Sequence, residues 1–179
     1  EYILSQRKAL GTLPENGAVV TTIVSGKMAK RMAKEYDMTL IETLTGFKYI
    51  GEQIKFFEQN GSYEYVFGYE ESYGCLVGTH ARDKDAVVAV MALCEVAAYC
   101  SHQGITLCDQ MEKLFEKYGY YREELCTVTL KGQEGAKKIQ SMMEQIRMNV
   151  PKTVGGLKVM KFRDYREDMV KDCVTGETA

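Results

Sequence analysis

The first half of the chain alternates between the apolar spacing of strands and that of helices. The β-branched run AVVTTIV, residues 18–24, has the length and composition of a buried strand. SGKMAKRMAKEYD follows it, with apolar side chains at Met28, Met32 and Tyr36, which is the spacing of one helix face. The pattern predicts a strand followed by a helix.

The same pair of elements recurs directly downstream. MTLIETL predicts a second short strand, and FKYIGEQIKFFEQN predicts a helix that stops at Gly61. Phe47, Ile50, Ile54 and Phe57 recur at helical spacing, so we expect them to form the core-facing side of this helix. EYVFGY then predicts a third strand.

Residues 85–102 form a helix-length segment that is apolar on nearly every side. Such a helix is usually buried on more than one side, which suits a sheet enclosed between two helical layers. We therefore expect this helix to lie deep in the protein.

The second half of the chain predicts two amphipathic helices, over residues 106–119 and 133–148, with a fourth strand, ELCTVTL, between them. GGLKVMKFRDY predicts a last extended segment, and from Met169 the composition becomes polar and tail-like. The whole pattern predicts an α/β fold, a three-layer α/β/α sandwich with a mixed, about four-stranded sheet whose first three strands are largely parallel.

Ligand sites of open α/β sheets lie beyond the carboxyl ends of the strands. This rule directs attention to loops 25–26, 45–46 and 68–80, which follow the first three predicted strands. We expect any binding site to be built from these loops.

Composition and charge narrow the class of protein. At 179 residues, 45% hydrophobic and 27% charged, the chain suits one globular domain. A formal net charge of −2 gives no electrostatic reason to expect nucleic acid or a membrane as partner, and the most apolar segment, 86–101, is shorter than a bilayer crossing. The six cysteines contain no C-x-x-C pair, so we expect reduced thiols. No basic-then-apolar leader is visible, so we expect a cytoplasmic location.

The loop FGYEESYG places two carboxylates directly after a predicted buried strand. Ionised Glu70 and Glu71 accept hydrogen bonds and donate none, so their natural small partners are sugar hydroxyls or cations. Gly68 and Gly74 let a ligand approach the backbone, and Ser72 adds a hydroxyl. The alternative is that one glutamate caps the following turn and the other is solvated. The glycines and the hydroxyl favour a site for vicinal diols.

Arg82 and Lys84 follow in the segment ARDKD. One interpretation is that they pair with Asp83 or with the two glutamates, in surface ion pairs worth only about 0–1 kcal/mol. The other is that they bind a phosphate, which arginine grips with two parallel hydrogen bonds and lysine attracts as a point charge. Acceptors for hydroxyls beside donors for phosphate predict a sugar-phosphate site.

Three segments together resemble the α-D-phosphohexomutases, the family of phosphoglucomutase and phosphomannomutase. FGYEESYG followed by GTHARDKDAV resembles the sugar-binding loop of their third domain, which has a G-E-x-S-G or G-E-E-S-F-G pattern and a K-D-G step. ETLTGFKYIGEQI is similar to their T-G-W-K or T-G-F-K segment, and VVTTIVSGKMAK is similar to the strand and turn that open that domain. The resemblance covers residues 19–118 and, through FEKYGYY, is closest to the bacterial and phosphopentomutase-like branch.

The resemblance implies substrate-binding roles for seven residues and a catalytic role for none. The first glutamate of the loop and its serine would bind sugar hydroxyls, the second loop would line the cleft, and the two cations would contact the substrate or its phosphate. The implied residues are Glu70, Ser72, Glu71, Thr45, Gly46, Lys84 and Arg82. Ser25 holds the equivalent place in the first loop without a firm role. His80 is expected to be a solvent-exposed loop residue, because Tyr73 stands where some members carry a glycine and then a histidine.

A larger parent protein is also implied. Family members use four domains around one cleft, with a phosphoserine, a Mg²⁺ site, a sugar-reading third domain and a phosphate-holding fourth domain. T-A-S-H-N, D-x-D-x-D-R and R-x-S-G-T-E-P loops are absent from these 179 residues, so we expect this segment to bind no metal and to be inactive alone. We expect residues 1–168 to be the third domain and residues 169–179 a linker toward the fourth.

The parent suggested by the resemblance is a phosphoglucomutase that interconverts glucose 1-phosphate and glucose 6-phosphate, with Mg²⁺ and glucose 1,6-bisphosphate as its cofactors. Its partners would be a hexose phosphate and the other domains of the same chain. A parent that acts on mannose or pentose phosphates stays open, because several sugars share the hydroxyls that two glutamates and a serine recognise. A stand-alone module that binds a sugar phosphate without chemistry is the second alternative.

A tyrosine cluster, Tyr118, Tyr120 and Tyr121, admits two interpretations. It forms either a stacking surface for carbohydrate or part of the packing against the sheet. Its place at the join of a helix and a strand favours packing.

Overall fold

The structure is a computed structural model that describes residues 1–124 and 127–178. The chain divides into two compact units, Glu1–Glu123 and Glu124–Ala179. All the predicted substrate-binding residues belong to the first unit.

A four-stranded sheet forms the centre of the first unit, with strand order β2-β1-β3-β4. The central strand β1 pairs in parallel with both β2 and β3, and β4 pairs antiparallel with β3. The strands are β1 (Gly17–Thr22), β2 (Thr39–Thr43), β3 (Glu64–Tyr69) and β4 (Cys75–Val77). The prediction of a mixed four-stranded sheet, parallel in its first three strands, is confirmed.

One face of the sheet is covered by α3 (Phe47–Asn60). The predicted stripe of four apolar residues is buried, and Ile50 and Ile54 are fully inaccessible to solvent. They pack in one cluster with Ala18 and Val20, which point to the same face because side chains alternate along a strand.

The opposite face is covered by α1 (Tyr2–Ala9) and α2 (Met28–Glu35). Leu4 of α1 and Ala33 of α2 pack in a second cluster with Val19, the strand residue between the two that face α3. The sheet therefore lies between two helical layers, and the α/β/α architecture is confirmed.

The apolar helix α4 (Ala86–His102) contradicts the expectation of deep burial. Cys100 is its only buried residue, whereas Val87, Val90, Met91 and Leu93 are each more than half exposed. Since apolar residues occupy every side of this helix, one buried side necessarily leaves the others in water.

The helix α5 (Leu107–Tyr118) follows α4 and contacts it. A cavity of about 800 Å³ is lined by side chains from these two helices, from α2 and from β3. In the described part of the chain no single helix is long and apolar enough to cross a bilayer; α4 and α5 pass that test only as a pair, with an 88° bend between them.

The fourth strand lies at a different place from the one predicted. It is β4, inside the segment expected to be a loop, and it extends the sheet because the turn after β3 reverses the chain. The predicted strand 124–130 falls partly on residues 125 and 126, outside the described residues. Residues 127–130 have no strand structure.

In its described residues, 124 and 127–178, the second unit contains one helix and two small hairpins. α6 (Gly132–Met148) begins one residue before the predicted helix. The predicted extended segment is divided between two antiparallel hairpins, β5 (Thr153–Val154) with β6 (Leu157–Lys158) and β7 (Lys161–Asp164) with β8 (Met169–Asp172). The boundary predicted between residues 168 and 169 falls inside the second hairpin, and as a domain limit it stays a prediction.

Candidate functional site

The loop that joins β3 to β4 carries the two glutamates and the serine. It lies at the carboxyl end of β3, the edge where β1 and β2 also end because the three strands are parallel. The Glu70 backbone N–H donates to the Gly74 carbonyl at 2.9 Å, which closes the loop into a tight turn. The sheet thus presents residues 70–74 at the edge where α/β proteins bind ligands.

Glu70, Ser72 and Lys84 converge in this loop. The Glu70 residue is only 7% exposed. The Ser72 hydroxyl donates to its Oε1 at 2.8 Å, and the Lys84 ammonium lies 3.6 Å from the same oxygen. A side chain at Gly74 would overlap Lys84 and press on Glu70, so glycine permits this close approach.

The Lys84 ammonium also lies 5.6 Å from the centre of the Phe47 ring. Phe47 begins α3 directly after Thr45 and Gly46, so this contact connects the second loop with the Glu70 cluster. Thr45 itself is solvent-exposed. A hydrogen bond to Asp83 raises the pKa of Lys84, and the Glu70 carboxylate raises that pKa further, so the site keeps a positive charge.

Glu71 is directed away from this cluster, toward the end of β1. Its Oε2 accepts a hydrogen bond from the Thr22 hydroxyl at 2.7 Å. The Thr22 hydroxyl is also 2.8 Å from that of Ser25, and both hydroxyl residues are buried. Ser25 therefore reaches the site through Thr22, which the sequence analysis missed because it lies inside an apolar strand run.

Arg82 is directed toward α3 and does not join Lys84. Its guanidinium donates to Glu58 at 2.5 Å and to the Thr79 carbonyl at 2.6 Å. A side chain at Gly51 of α3 would overlap the Arg82 carbonyl oxygen, so glycine brings this helix against the loop. The arrangement matches the interpretation of Arg82 as an ion-pair residue more closely than that of a second phosphate contact.

His80 lies in an exposed loop and contacts Asp85 at 2.9 Å rather than the glutamates. Of the three tyrosines, Tyr118 is buried, which agrees with packing. Tyr120 is 75% exposed, so packing against the sheet is wrong for this residue. Its ring instead contacts Phe115 on α5, with ring centroids 4.7 Å apart.

A metal site is not formed by the described residues, 1–124 and 127–178. In these ranges no three His, Cys, Asp or Glu side chains lie where they could hold a metal ion. The side chains of this segment therefore do not fit the Mg²⁺ that the resemblance implies for the parent.

Comparison with known proteins points to one family. The family model described as "Phosphoglucomutase/phosphomannomutase, alpha/beta/alpha domain III" matches residues 1–118. The matched span contains the four-stranded sheet and every predicted substrate-binding residue.

Three similar proteins, each named phosphoglucomutase, match most of the chain. That of Staphylococcus haemolyticus is 35% identical over 153 residues, 86% of this chain and 28% of the relative. Those of Staphylococcus epidermidis and Staphylococcus aureus are 36% and 37% identical, over 92% and 82% of this chain and 30% and 26% of their own lengths. The chain thus spans less than a third of the length of these relatives.

Proposed function

Because the chain belongs to the phosphoglucomutase/phosphomannomutase family through its domain III, we propose that it is the sugar-recognition part of a phosphoglucomutase. The full-length protein would interconvert glucose 1-phosphate and glucose 6-phosphate through a phosphoserine and a bisphosphorylated sugar. Glucose is favoured over mannose or pentose because the similar proteins are named phosphoglucomutase.

The unused oxygen of Glu70 is the observation that carries this proposal. Ser72 and Lys84 both contact Oε1, and within the described residues Oε2 makes no hydrogen bond or ion pair. No buried side-chain oxygen or nitrogen there lacks a partner, so Oε2 keeps access to solvent. A largely buried carboxylate with one accessible oxygen accepts a hydroxyl donor strongly, since little water competes for it.

Three side chains would share the binding of the sugar phosphate, those of Glu70 and Ser72 in the loop and that of Lys84 after β4. Glu70 Oε2 accepts from one sugar hydroxyl, and the exposed Ser72, whose proton goes to Glu70 Oε1, accepts from the adjacent hydroxyl of the ring. Lys84 attracts the phosphate as a point charge from the same side. Thr45 and Gly46 line the approach from the second loop, and Arg82 takes part only if it leaves Glu58.

The chemical step would belong to other parts of the full-length protein. We propose that they supply the phosphoserine, Mg²⁺, the site for glucose 1,6-bisphosphate and the grip on the substrate phosphate, and that this chain alone is inactive. Residues 1–168 as domain III, residues 169–179 as a linker and a cytoplasmic location belong to the same proposal.

A two-dimensional amide NMR titration of the chain tests sugar recognition. We expect glucose 1-phosphate to shift amides 45–46 and 68–84 with a Kd in the millimolar range, about 4 kcal/mol, because the phosphate grip of the other domains is absent. Glucose 1,6-bisphosphate and mannose 1-phosphate rank the sugars in parallel titrations.

The Glu70→Gln variant should abolish these shifts, whereas Glu52→Gln, on the exposed side of α3, should leave them unchanged. Equal shifts with inorganic phosphate alone would show that the sugar is not recognised. Shifts outside the two loops would place the site elsewhere.

A further inference from the structure

The two adjacent glutamates of the loop have different surroundings. Glu70 contacts Ser72 and Lys84, whereas Glu71 contacts the end of β1 through Thr22. Thr22 is fully buried and ends the central strand, which is held by parallel strands on both sides. Glu71 therefore anchors a surface loop to the most constrained strand of the sheet.

The direction of the hydrogen bonds at Thr22 follows from counting protons. A carboxylate accepts and does not donate, so the single hydroxyl proton of Thr22 goes to Glu71. The proton between Thr22 and Ser25 must then come from the Ser25 hydroxyl. The chain Ser25 to Thr22 to Glu71 thus has one direction and ends on a charged acceptor, the stronger kind of hydrogen bond.

A second contact fixes the other side of Glu70. The Thr21 hydroxyl donates to the Tyr69 carbonyl at 3.1 Å, and these two residues are paired in the β1–β3 ladder. Glu70 therefore lies between Tyr69 and Glu71, both of which are bonded to consecutive threonines of β1. The chain on both sides of Glu70 is therefore held before any ligand arrives.

We propose that Thr22 and Ser25 are positioning residues that act through Glu71, and that Glu71 holds the loop instead of contacting the sugar. This inference rests on the proposed function for the ligand, and it reassigns one residue of the predicted substrate-binding set. Glu70 and Ser72 would read the hydroxyls, while Glu71 limits the motion of both. Preorganisation of this kind increases affinity without adding a contact.

The experiment compares Thr22→Val, Glu71→Ala and the double variant, each as the same 179-residue chain. Amide spectra without ligand report the loop, and titrations with glucose 1-phosphate and mannose 1-phosphate report affinity. Each single variant should shift amides 70–74 before sugar is added. Each should also weaken the binding of both sugars by the same factor, about tenfold. The double variant should bind the sugars no more weakly than Glu71→Ala does. Thr22→Ser keeps the hydroxyl and should have the spectra and affinity of wild type.

Thr43→Val is the matched control for loss of a buried threonine hydroxyl. Thr43 ends the neighbouring strand β2, and its hydroxyl donates to the Thr21 and Leu44 carbonyls rather than to the loop. The Thr43→Val variant should lower the melting temperature about as much as Thr22→Val does, while the signals of amides 70–74 stay at their wild-type positions. Equal disturbance of the loop by both variants would show general destabilisation and overturn the proposal.

Two further results separate this inference from the proposed function. If wild type binds no sugar but Thr22→Val and Glu71→Ala still shift the same loop amides non-additively, the anchoring stands and sugar recognition by this chain fails. If wild type binds sugar and Glu71→Ala changes the preference between glucose and mannose while Thr22→Val does not, Glu71 contacts the sugar directly. That second result would overturn the anchoring role.

Discussion

The helices α3 and α4 are both rich in apolar residues, yet they relate to the sheet in opposite ways. α3 buries five residues, among them Ile50 and Ile54. α4 is longer and more apolar and buries one, Cys100. The difference shows that burial follows the direction of an apolar stripe, because a stripe specifies which side of a helix must leave water.

Polar contacts hold α5 against its neighbours, whereas apolar packing holds α3 against the sheet. The Glu1 carboxylate accepts hydrogen bonds from the Tyr118 hydroxyl at 2.6 Å and the Tyr36 hydroxyl at 2.8 Å, which joins α5 to the residue that ends α2. Lys117 contacts the same carboxylate at 3.1 Å and also Glu35 at 2.6 Å. Substitutions and pH should therefore affect the two sides differently.

The largest expected difference is between Ile50→Ala on α3 and Val90→Ala on α4. Ile50 is fully buried, so truncation leaves a cavity and should lower the free energy of unfolding by about 2–5 kcal/mol. Val90 is 62% exposed, and its truncation should change that free energy by less than about 0.5 kcal/mol. Urea unfolding of the two variants measures both values.

Similar losses for the two variants would mean that the outer side of α4 is covered in solution. A concentration-dependent loss for Val90→Ala alone would identify the cover as a second copy of the chain, because association makes stability depend on protein concentration.

Periodicity in the sequence predicted both ends of α3 correctly, because its four core positions recur at helical spacing between Gly46 and Gly61. It did not predict the side on which α4 packs, since an all-round apolar pattern has no periodic signal to orient it. β4 was missed because three residues between glycines in a loop carry little strand signal. Its pairing comes from the tertiary turn at residues 70–74.

The candidate site shows the same limit. Glu70, Ser72 and Lys84 were grouped by motif, and the structure places them together, although their ligand stays a prediction. Thr22 gave no signal because a threonine in AVVTTIV looks like an ordinary strand residue. Only the parallel register shows that its hydroxyl meets a side chain 49 residues away.

An intermediate effect is expected from the Glu1 carboxylate. Burial raises the pKa of this group, but hydrogen bonds from Tyr118, Tyr36 and Lys117 outweigh burial and lower the pKa overall. A lowered pKa means that the carboxylate stabilises the fold above its unfolded-state pKa, and that this contribution disappears as the pH falls through its folded-state pKa. Glu1→Gln should lower the free energy of unfolding at neutral pH by about 1–3 kcal/mol, the usual range for loss of a hydrogen-bonded charged group.

Hydrogen exchange of the α3 and α5 amides, followed as the pH is lowered from 7 to 3, measures whether the Glu1 carboxylate stabilises α5 separately from α3. Protection of α5 should fall first in wild type, and Glu1→Gln should show low protection of α5 already at neutral pH. Glu15→Gln, an exposed glutamate, is the control and should behave as wild type. Simultaneous loss of protection in both helices would show that the polar cluster does not act separately on α5.

The smallest effect is expected at the start of α4, where capping replaces packing. The Asp85 carboxylate accepts hydrogen bonds from the Val87 and Val88 N–H groups at 2.8 and 3.2 Å. The His80 hydrogen bond, together with these N–H groups, lowers the pKa of Asp85, so the cap acts above the unfolded-state pKa and is lost in acid. Asp85→Ala should remove the cap and lower the stability of the first turn of α4, whereas Asp85→Asn should lower it much less, because asparagine also caps. Since α4 buries so little, the loss should appear as faster exchange of amides 87–91 with α3 unchanged. Exchange that rises equally in both helices would mean that α4 unfolds only together with the core, and that its packing is tighter than its exposure indicates.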